Sequence, residues 1–239
     1  VIESPFLNRR LRSHTILGDD DLRLLQELPA SIRNVPAAET IISEGTRQAD
    51  CCIILRGLVC RSKTTDIGKR QILSFHIPGD IPDLQSLLLP QLDHDITALS
   101  DATIGLVRHV DLAALIDANR RIATVLWREC LTEAAVNREW IVNVGRRSGE
   151  AKLAHMVAEL KRRMEAVGLA EGDTFPFPAT QADIADALGL TTVHVNRILR
   201  VLRARRVLDI RHREVVIHDW PKLVAIAGFR DNYLHAIGA

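Results

Sequence analysis

Between Asn119 and Val144 the chain runs 26 residues without a glycine or a proline. A continuous helix over that tract is about 39 Å long at ~1.5 Å per residue. A domain of ordinary size does not bury a helix of that length alone, so the tract constrains everything around it. Ala123, Trp127, Leu131, Ala134 and Ile141 recur near helical spacing, with Cys130 beside them. The expectation is a helix whose apolar line meets a second copy of the chain. The other reading of the same periodicity is a buried core helix.

The chain before the tract has a different texture. "GDDDLRLLQEL" reads as a short helix capped by its aspartates, with Leu22, Leu25 and Leu28 on one face. From Ser31 to Arg108, β-rich runs such as "CCIILRGLVCRSK" and "ITALSDATIGLVRH" alternate with turn signals about ten residues apart. That is the pattern of an all-β sandwich or barrel. Arg56-Gly57 and Asp66-Ile67-Gly68 read as hairpin turns, "LQSLLLP" as core helix, and Asp111 as the cap of "LAALIDA". After the tract, "GRRSG" (Gly145 to Gly149) reads as a break and domain hinge. An amphipathic helix follows, with Leu153, Met156, Val157 and Leu160 inward, then a loop or short strand at "EGDTFPFPA".

The formal charge of +1 hides a segregation. Residues 146–239 hold 15 Lys/Arg against 11 Asp/Glu, whereas residues 1–145 hold 16 against 19. The basic part carries "QADIADALGLTTVHVNRIL", which has the grammar of a helix-turn-helix. Ala185 is small where two helices cross, and Gly189 supplies the turn. Ile184, Leu188, Leu190, Val195 and Ile198 dock the helices, and Thr191 caps the second. That leaves Thr192, Val193, His194, Asn196, Arg197 and Arg200 for the groove of duplex DNA, with Arg203 further on for phosphates. "RVLDIRHREVVIHD" reads as two strands around a basic turn, a wing with Arg211, His212 and Arg213 at its tip. A short helix starts at Pro221. The alternative is a solvated basic helix packed on its own domain.

Apolar content of 47% and charged content of 26% describe a soluble globular chain. No run has the apolar length of a membrane helix, and "VIESPFLNRRLRS" has no apolar export core. Cys51, Cys52, Cys60 and Cys130 show no C-x-x-C spacing and read as reduced thiols of a cytoplasmic protein.

At this point a resemblance is visible. "FPFPATQADIADALGLTTVHVNRILRVLR" resembles the DNA-binding motif of the Crp/Fnr superfamily of bacterial transcription regulators, and its H-V-N-R core resembles that of a large subgroup. "GKRQILSFHIPGDI" resembles the family's β-roll signature. The resemblance implies an α+β chain in three parts. These are a β-roll sensor domain over 1–110, cupin-like and similar to cyclic-nucleotide-binding domains; a helix pair over 111–145 that includes a dimerisation helix; and a winged helix-turn-helix over 146–239. It also implies a homodimer, a roughly palindromic site in double-stranded DNA and an RNA polymerase partner.

The resemblance does not supply an effector. Cyclic AMP receptors of this family hold the ribose and cyclic phosphate with a Gly-Glu pair and an Arg-Ser pair. Here the corresponding places read Pro82-Asp83 and Asp93 to Ile96, so an anion meets Asp93 and Asp95 with no arginine nearby. The oxygen-sensing relatives carry an iron–sulfur cluster on N-terminal cysteines, and here none precedes Cys51. Neighbours on a strand, Cys51 and Cys52 point to opposite faces. Cys51 and Cys60 across the Arg56-Gly57 turn are either packing residues or a thiol pair. His76 and His94 invite a metal reading, because a β-roll resembles the cupin enzymes, but no H-x-H with a following Glu accompanies them. "DHD" reads as an exposed loop. The expectation is no cofactor and no enzyme activity. A metal-dependent cupin-like enzyme, or a ligand-sensing module acting through protein partners, stands as the alternative.

Overall fold

A computed structural model describes residues 4–12, 17–89 and 91–235. The chain divides into two compact units. One takes in the residues up to Lys63 and Phe75–Ala134; the other takes in Thr64–Ser74 and Ala135–His235. The division falls inside the long helix.

Helices α1 (Pro5–Arg12) and α2 (Asp19–Glu27) precede seven strands, which lie in the first unit apart from residues 64–74. These are β1 (Ala30–Val35), β2 (Thr40–Ile42), β3 (Asp50–Arg56), β4 (Val59–Thr64), β5 (Arg70–His76), β6 (Asp95–Ala98) and β7 (Ala102–Arg108). They form two antiparallel sheets, one in the order β1-β7-β3 and one in the order β2-β6-β4-β5. Then come α3 (His109–Ala118) and the first half of α4 (Arg120–Arg146). Strand β3 shows how two cores arise from one sequence. Cys52 and Ile54 join Val35, Ile42, Val59, Ile96 and Ile104 in one cluster. Cys51 and Ile53, on the other face, pack with Leu7, Leu11, Leu22, Leu25, Leu112, Ile122 and Leu126 from all four helices.

Several sequence expectations change here. Arg56-Gly57 is not a hairpin turn, because β3 and β4 belong to different sheets and the chain crosses between them. Gly57 is required at that crossing: its φ is +93°, and a Cβ would sit 2.6 Å from the Asp101 carbonyl oxygen. Cys51 therefore pairs in register with Val107 and Cys60 with Thr97, in separate sheets, and they form no cross-hairpin thiol pair. Helix α2 is preceded by Gly18; Asp21 Oδ2 turns back to accept the Gly18 N–H at 2.9 Å. Helix α3 starts at His109, ahead of Asp111, whose carboxylate instead takes Arg108 Nε at 2.7 Å. "LQSLLLP" yields one 3-10 turn, Leu84–Leu87, with Leu84 buried but Leu88 and Leu89 exposed. Its Pro90 lies outside the described residues. In "DHD", Asp93 is exposed but His94 is buried. Helix α4 does not stop at Gly145 but runs through it to Arg146.

The second unit holds the rest of α4, then α5 (Gly149–Val167), β8 (Thr174–Pro176), α6 (Gln181–Leu188), α7 (Thr192–Ala204), β9 (Leu208–Arg211), β10 (Glu214–Ile217) and α8 (Trp220–Ala227). Ser148 caps α5, accepting the Ala151 N–H, and Gly168 closes it in the left-handed conformation. Leu153, Met156, Val157 and Leu160 are buried as expected. The antiparallel sheet β8-β10-β9 packs Phe175, Val215 and Ile217 inward.

A polar knot lies inside this unit. Glu159 is fully buried and accepts from Trp140 Nε1 at 3.1 Å and from the Tyr233 hydroxyl at 2.8 Å. His155, also fully buried, stacks on the Tyr233 ring, with Glu139 Oε1 3.4 Å from its Nε2. Burial, aided by the nearby Arg147, pushes the His155 pKa down to about 4. An imidazole depressed in the folded state stabilises the fold above its ordinary pKa and loses that contribution as pH falls through the window between about 6.5 and 4. We predict that His155→Leu flattens the acid limb. The stability lost between pH 7 and pH 5, measured by urea unfolding, should shrink by about 2 kcal/mol relative to wild type.

Candidate nucleic-acid interface

The helix-turn-helix is built from local signals. Thr180 caps α6 by accepting the Asp183 N–H at 3.1 Å, and Asp183 Oδ2 accepts the Thr180 N–H at 2.9 Å. This reciprocal box ties down two otherwise unpaired donors. Gly189 ends α6 at φ +63°, where a side chain is strained. Thr191 then caps α7, accepting the His194 N–H at 3.2 Å. Ile184, Ala185, Leu188, Val195, Ile198, Leu199 and Leu202 are buried between the helices and the sheet behind them.

That packing decides which residues remain outside. Thr191, Thr192, Val193, Asn196, Arg197 and Arg200 are exposed and His194 is half-buried. Val193 is 80% exposed. Arg197 Nη2 lies 3.0 Å from His194 Nε2, which accepts when the imidazole is neutral with its proton on Nδ1. Arg203 and Arg211 are more tied. Arg203 donates from Nε and Nη2 to Asp209 Oδ1 at 2.9 and 2.6 Å, and Arg211 pairs with Asp209 Oδ2. One carboxylate thus holds two of the expected phosphate-binding arginines, while Arg200 and Arg213 make no ion pair among the described residues.

The wing is the β9-β10 hairpin. Its last pair is Arg211↔Glu214, so His212 and Arg213 are the two turn residues. Both have positive φ, 50° and 66°. A two-residue turn of this kind favours Asn-Gly, and side chains as large as these are strained there. The Arg213 carbonyl accepts the Phe177 N–H at 2.7 Å, which pins the turn.

Two elements escaped the sequence reading. Gly149 begins α5 against α7: a Cβ there would stand 2.8 Å from Ile198 Cδ1 and 3.2 Å from His194 Nε2. Arg206, at the end of α7, is exposed with φ 50°. The Thr180-x-x-Asp183 box was legible as a capping motif; the close approach at Gly149 left no local signal.

On α4 the line expected to meet a second copy is partly in solvent. Trp127 is 71% exposed, Leu131 59% and Ile141 73%, with Ala134 half-buried between them. Thr124 and Arg138, both exposed, fall on the same line at alternating spacings of 3 and 4 residues. Ala123 is half-buried, and Cys130 packs partly against the leucine cluster of its own unit.

In the β-roll, Arg61 corrects one expectation. It lies on β4 directly opposite Ile96, so an arginine does stand near Asp93 and Asp95. It is buried and occupied: Nε donates to the Pro82 carbonyl at 2.7 Å, and the rest of the guanidinium meets Gln85 and Glu133.

Residues 32–119 match the cyclic nucleotide-binding domain and residues 151–226 match the Crp-like helix-turn-helix domain. The chain belongs to the Crp/Fnr family of transcription regulators. Among its Crp/Fnr relatives, the transcriptional activator FnrL of Cereibacter sphaeroides is 27% identical over 203 residues, 82% of this chain and 80% of its own. The nitrogen fixation regulation protein FixK of Bradyrhizobium diazoefficiens is 26% identical over 219 residues, 91% of each. The solved structure of FixK2 from Bradyrhizobium japonicum has a TM-score of 0.77 at 25% identity, covering 85% of this chain and 100% of that one. Crp/Fnr regulators bind DNA, typically as dimers, and the α6–α7 motif is the part that matches as a DNA-binding domain.

The strained wing turn leads to a stability prediction. Replacing His212→Asn together with Arg213→Gly should raise the stability of the folded chain by about 1–2 kcal/mol, read by denaturant unfolding at neutral pH. An unchanged or lower midpoint would mean that the turn is not strained.

Proposed function

We propose that this Crp/Fnr regulator acts in the cytoplasm as a homodimer on a roughly palindromic duplex site, and that it is not an enzyme. The observation that carries this reading is the sorting of α7, with its apolar residues buried and Val193, Asn196, Arg197 and Arg200 in solvent. In this reading the β-roll of 1–110 senses, the helices of 111–145 pair two copies, and 146–239 bind DNA. RNA polymerase as a partner rests on family membership alone. Among the described residues no group of three or more His, Cys, Asp or Glu side chains is placed to hold a metal ion, and no helix is long and apolar enough to cross a membrane. A cyclic nucleotide is not held in the usual pose, because the donors of Arg61 are already engaged by Pro82, Gln85 and Glu133.

The exposed line on α4 supports pairing through Trp127, Leu131, Ala134 and Ile141. A symmetric dimer places two α7 helices about 34 Å apart, one turn of DNA. Leu131→Glu should shift the protein to monomer at micromolar concentration, read by sedimentation, and abolish binding to a two-half-site duplex. A stable dimer with Glu at that position would remove this face from the interface.

Thr191, Thr192, His194 and Asn196 are proposed as contacts to bases or nearby phosphates, and Arg197 as the guanine reader through O6 and N7. Arg200, Arg203, Arg211 and Arg213 are proposed as phosphate contacts. Relatives often carry a glutamate at the place of Val193, which accepts from cytosine N4; valine has no acceptor. Selection of bound sequences from a random duplex pool tests these roles. Arg197→Ala should cost about 1–3 kcal/mol on the selected site and flatten preference at one base per half-site. Val193→Glu should create a C·G preference. Arg200→Ala should lower the salt slope by about 0.9, Arg203→Ala by less because Asp209 then balances Arg211 alone, and the His212→Asn/Arg213→Gly pair again by about 0.9. An invariant cytosine with Val193 intact would show that α7 lies differently on the groove.

A further inference from the structure

Arg70, the first residue of β5, reaches helix α6 of the helix-turn-helix. Its Nε donates to Asp186 Oδ2 at 2.7 Å and its Nη2 donates to Asp183 Oδ1. The next residue, Gln71, donates from Nε2 to the Ala187 carbonyl at 3.1 Å. Asp183 is not a spare carboxylate. Its other oxygen takes the Thr180 N–H at 2.9 Å and the Thr180 hydroxyl at 2.6 Å, so the residue that Arg70 grips is the one that starts α6. Asp183 is buried, and a buried carboxylate without its cation is costly to the fold. The grip is held from a stiff support. The turn between β4 and β5 is closed by the Thr65 N–H on the Lys69 carbonyl at 2.9 Å and by the Gly68 N–H on the Thr65 carbonyl at 2.8 Å. Arg70 follows directly on Lys69. On the far side, α6 carries α7 through the buried Ile184, Leu188, Val195 and Ile198.

We infer that Arg70 is a positioning residue for DNA recognition: it fixes α6, and through α6 the recognition helix α7, to the β4–β5 hairpin. The inference rests on the reading of α7 as the DNA-reading helix. Arg70 itself touches no DNA. Without it α6 keeps its cap, its packing and the Gln71 hydrogen bond but loses its charged anchor, and part of the cost of fixing its orientation falls on the binding step.

The test uses the full chain and two duplexes, the site selected for wild type and a scrambled version. Arg70→Ala should weaken binding to the selected duplex about tenfold, leave binding to the scrambled duplex and the salt slope unchanged, and speed amide exchange over residues 184–188. Asp186→Ala should weaken binding in the same direction but by less, and the double variant should bind no worse than Arg70→Ala, because Arg70→Ala already removes the contact to Asp186 along with that to Asp183. Arg70→Lys should recover part of the loss. Should Arg70→Ala fail to fold, Asp186→Ala, which leaves the Thr180–Asp183 cap in place, carries the test. Unchanged or tighter binding of the selected duplex overturns the inference. So does a salt slope lowered by about 0.9, which would make Arg70 a phosphate contact. If wild type itself distinguishes no duplex, the DNA reading fails separately, and the exchange rates alone decide whether Arg70 holds α6.

Discussion

The two-sidedness of helix α4 is the constraint on which the rest depends. One side is consumed by cores: Ile122, Val125 and Leu126 enter the leucine cluster of the first unit, and Ala135, Val136 and Trp140 are buried further along. Burying each large side chain is worth roughly 1.5–3 kcal/mol, so the helix cannot turn about its axis without a large loss. With rotation fixed, the opposite line of Trp127, Leu131 and Ile141 is forced outward. An indole and two aliphatic side chains held in water by packing elsewhere form a surface that association relieves. The polar cost of the arrangement appears at Trp140, whose N–H is buried with the ring and needs an acceptor; Glu159 supplies it.

Local chemistry was legible in the sequence and long-range pairing was not. The helix-turn-helix follows from Gly189, Thr191 and the apolar spacing of Ile184 to Ile198, all within twenty residues, and the structure places each as read. The β-rich texture before Arg108 was also legible, but not which strands pair. Arg56-Gly57 looks like a hairpin because turn residues join two apolar runs. The backbone of Asp101 and Ala102, some 45 residues away, makes it a crossing between sheets. The break read at Gly145–Gly149 falls inside that stretch, at Arg147–Ser148; Gly145 itself stays helical, because a glycine in the last turn costs only about 1 kcal/mol, too little to stop the helix when Trp140 and Asn143 are already buried.

Charge is the property that sequence reading handles least well. A tally from Thr191 to Arg213 finds seven arginines and one carboxylate, Asp209, and implies a nearly uniform basic face. Geometry breaks the uniformity. Asp209 orients Arg203 and Arg211, Glu150 holds Arg205 at 2.9 Å, and among the described residues Arg200, Arg206 and Arg213 stay unengaged. The same holds in the β-roll. An arginine near an anion site matters only if its donors are free, and those of Arg61 are bound to a carbonyl, an amide and a carboxylate. Breaking such a buried pair to admit an anion would leave Glu133 uncompensated, at a cost typically of about 3–5 kcal/mol.

Specificity then depends on what a partner loses as much as on what it gains. Val193 sits at the exposed start of α7 with neither donor nor acceptor in its side chain. Against a thymine methyl it forfeits nothing. Against a cytosine amino group it removes water without replacing the hydrogen bond, and an unmade hydrogen bond at a buried polar group costs about 1–3 kcal/mol. On the proposed reading the helix discriminates by refusal at Val193 and by attraction at Arg197. Refusal works only where α7 is held closely enough against the groove that water cannot stay between, and that places the weight on whatever holds the helix: Gly149, which gives it room to pack, and α6, which carries it.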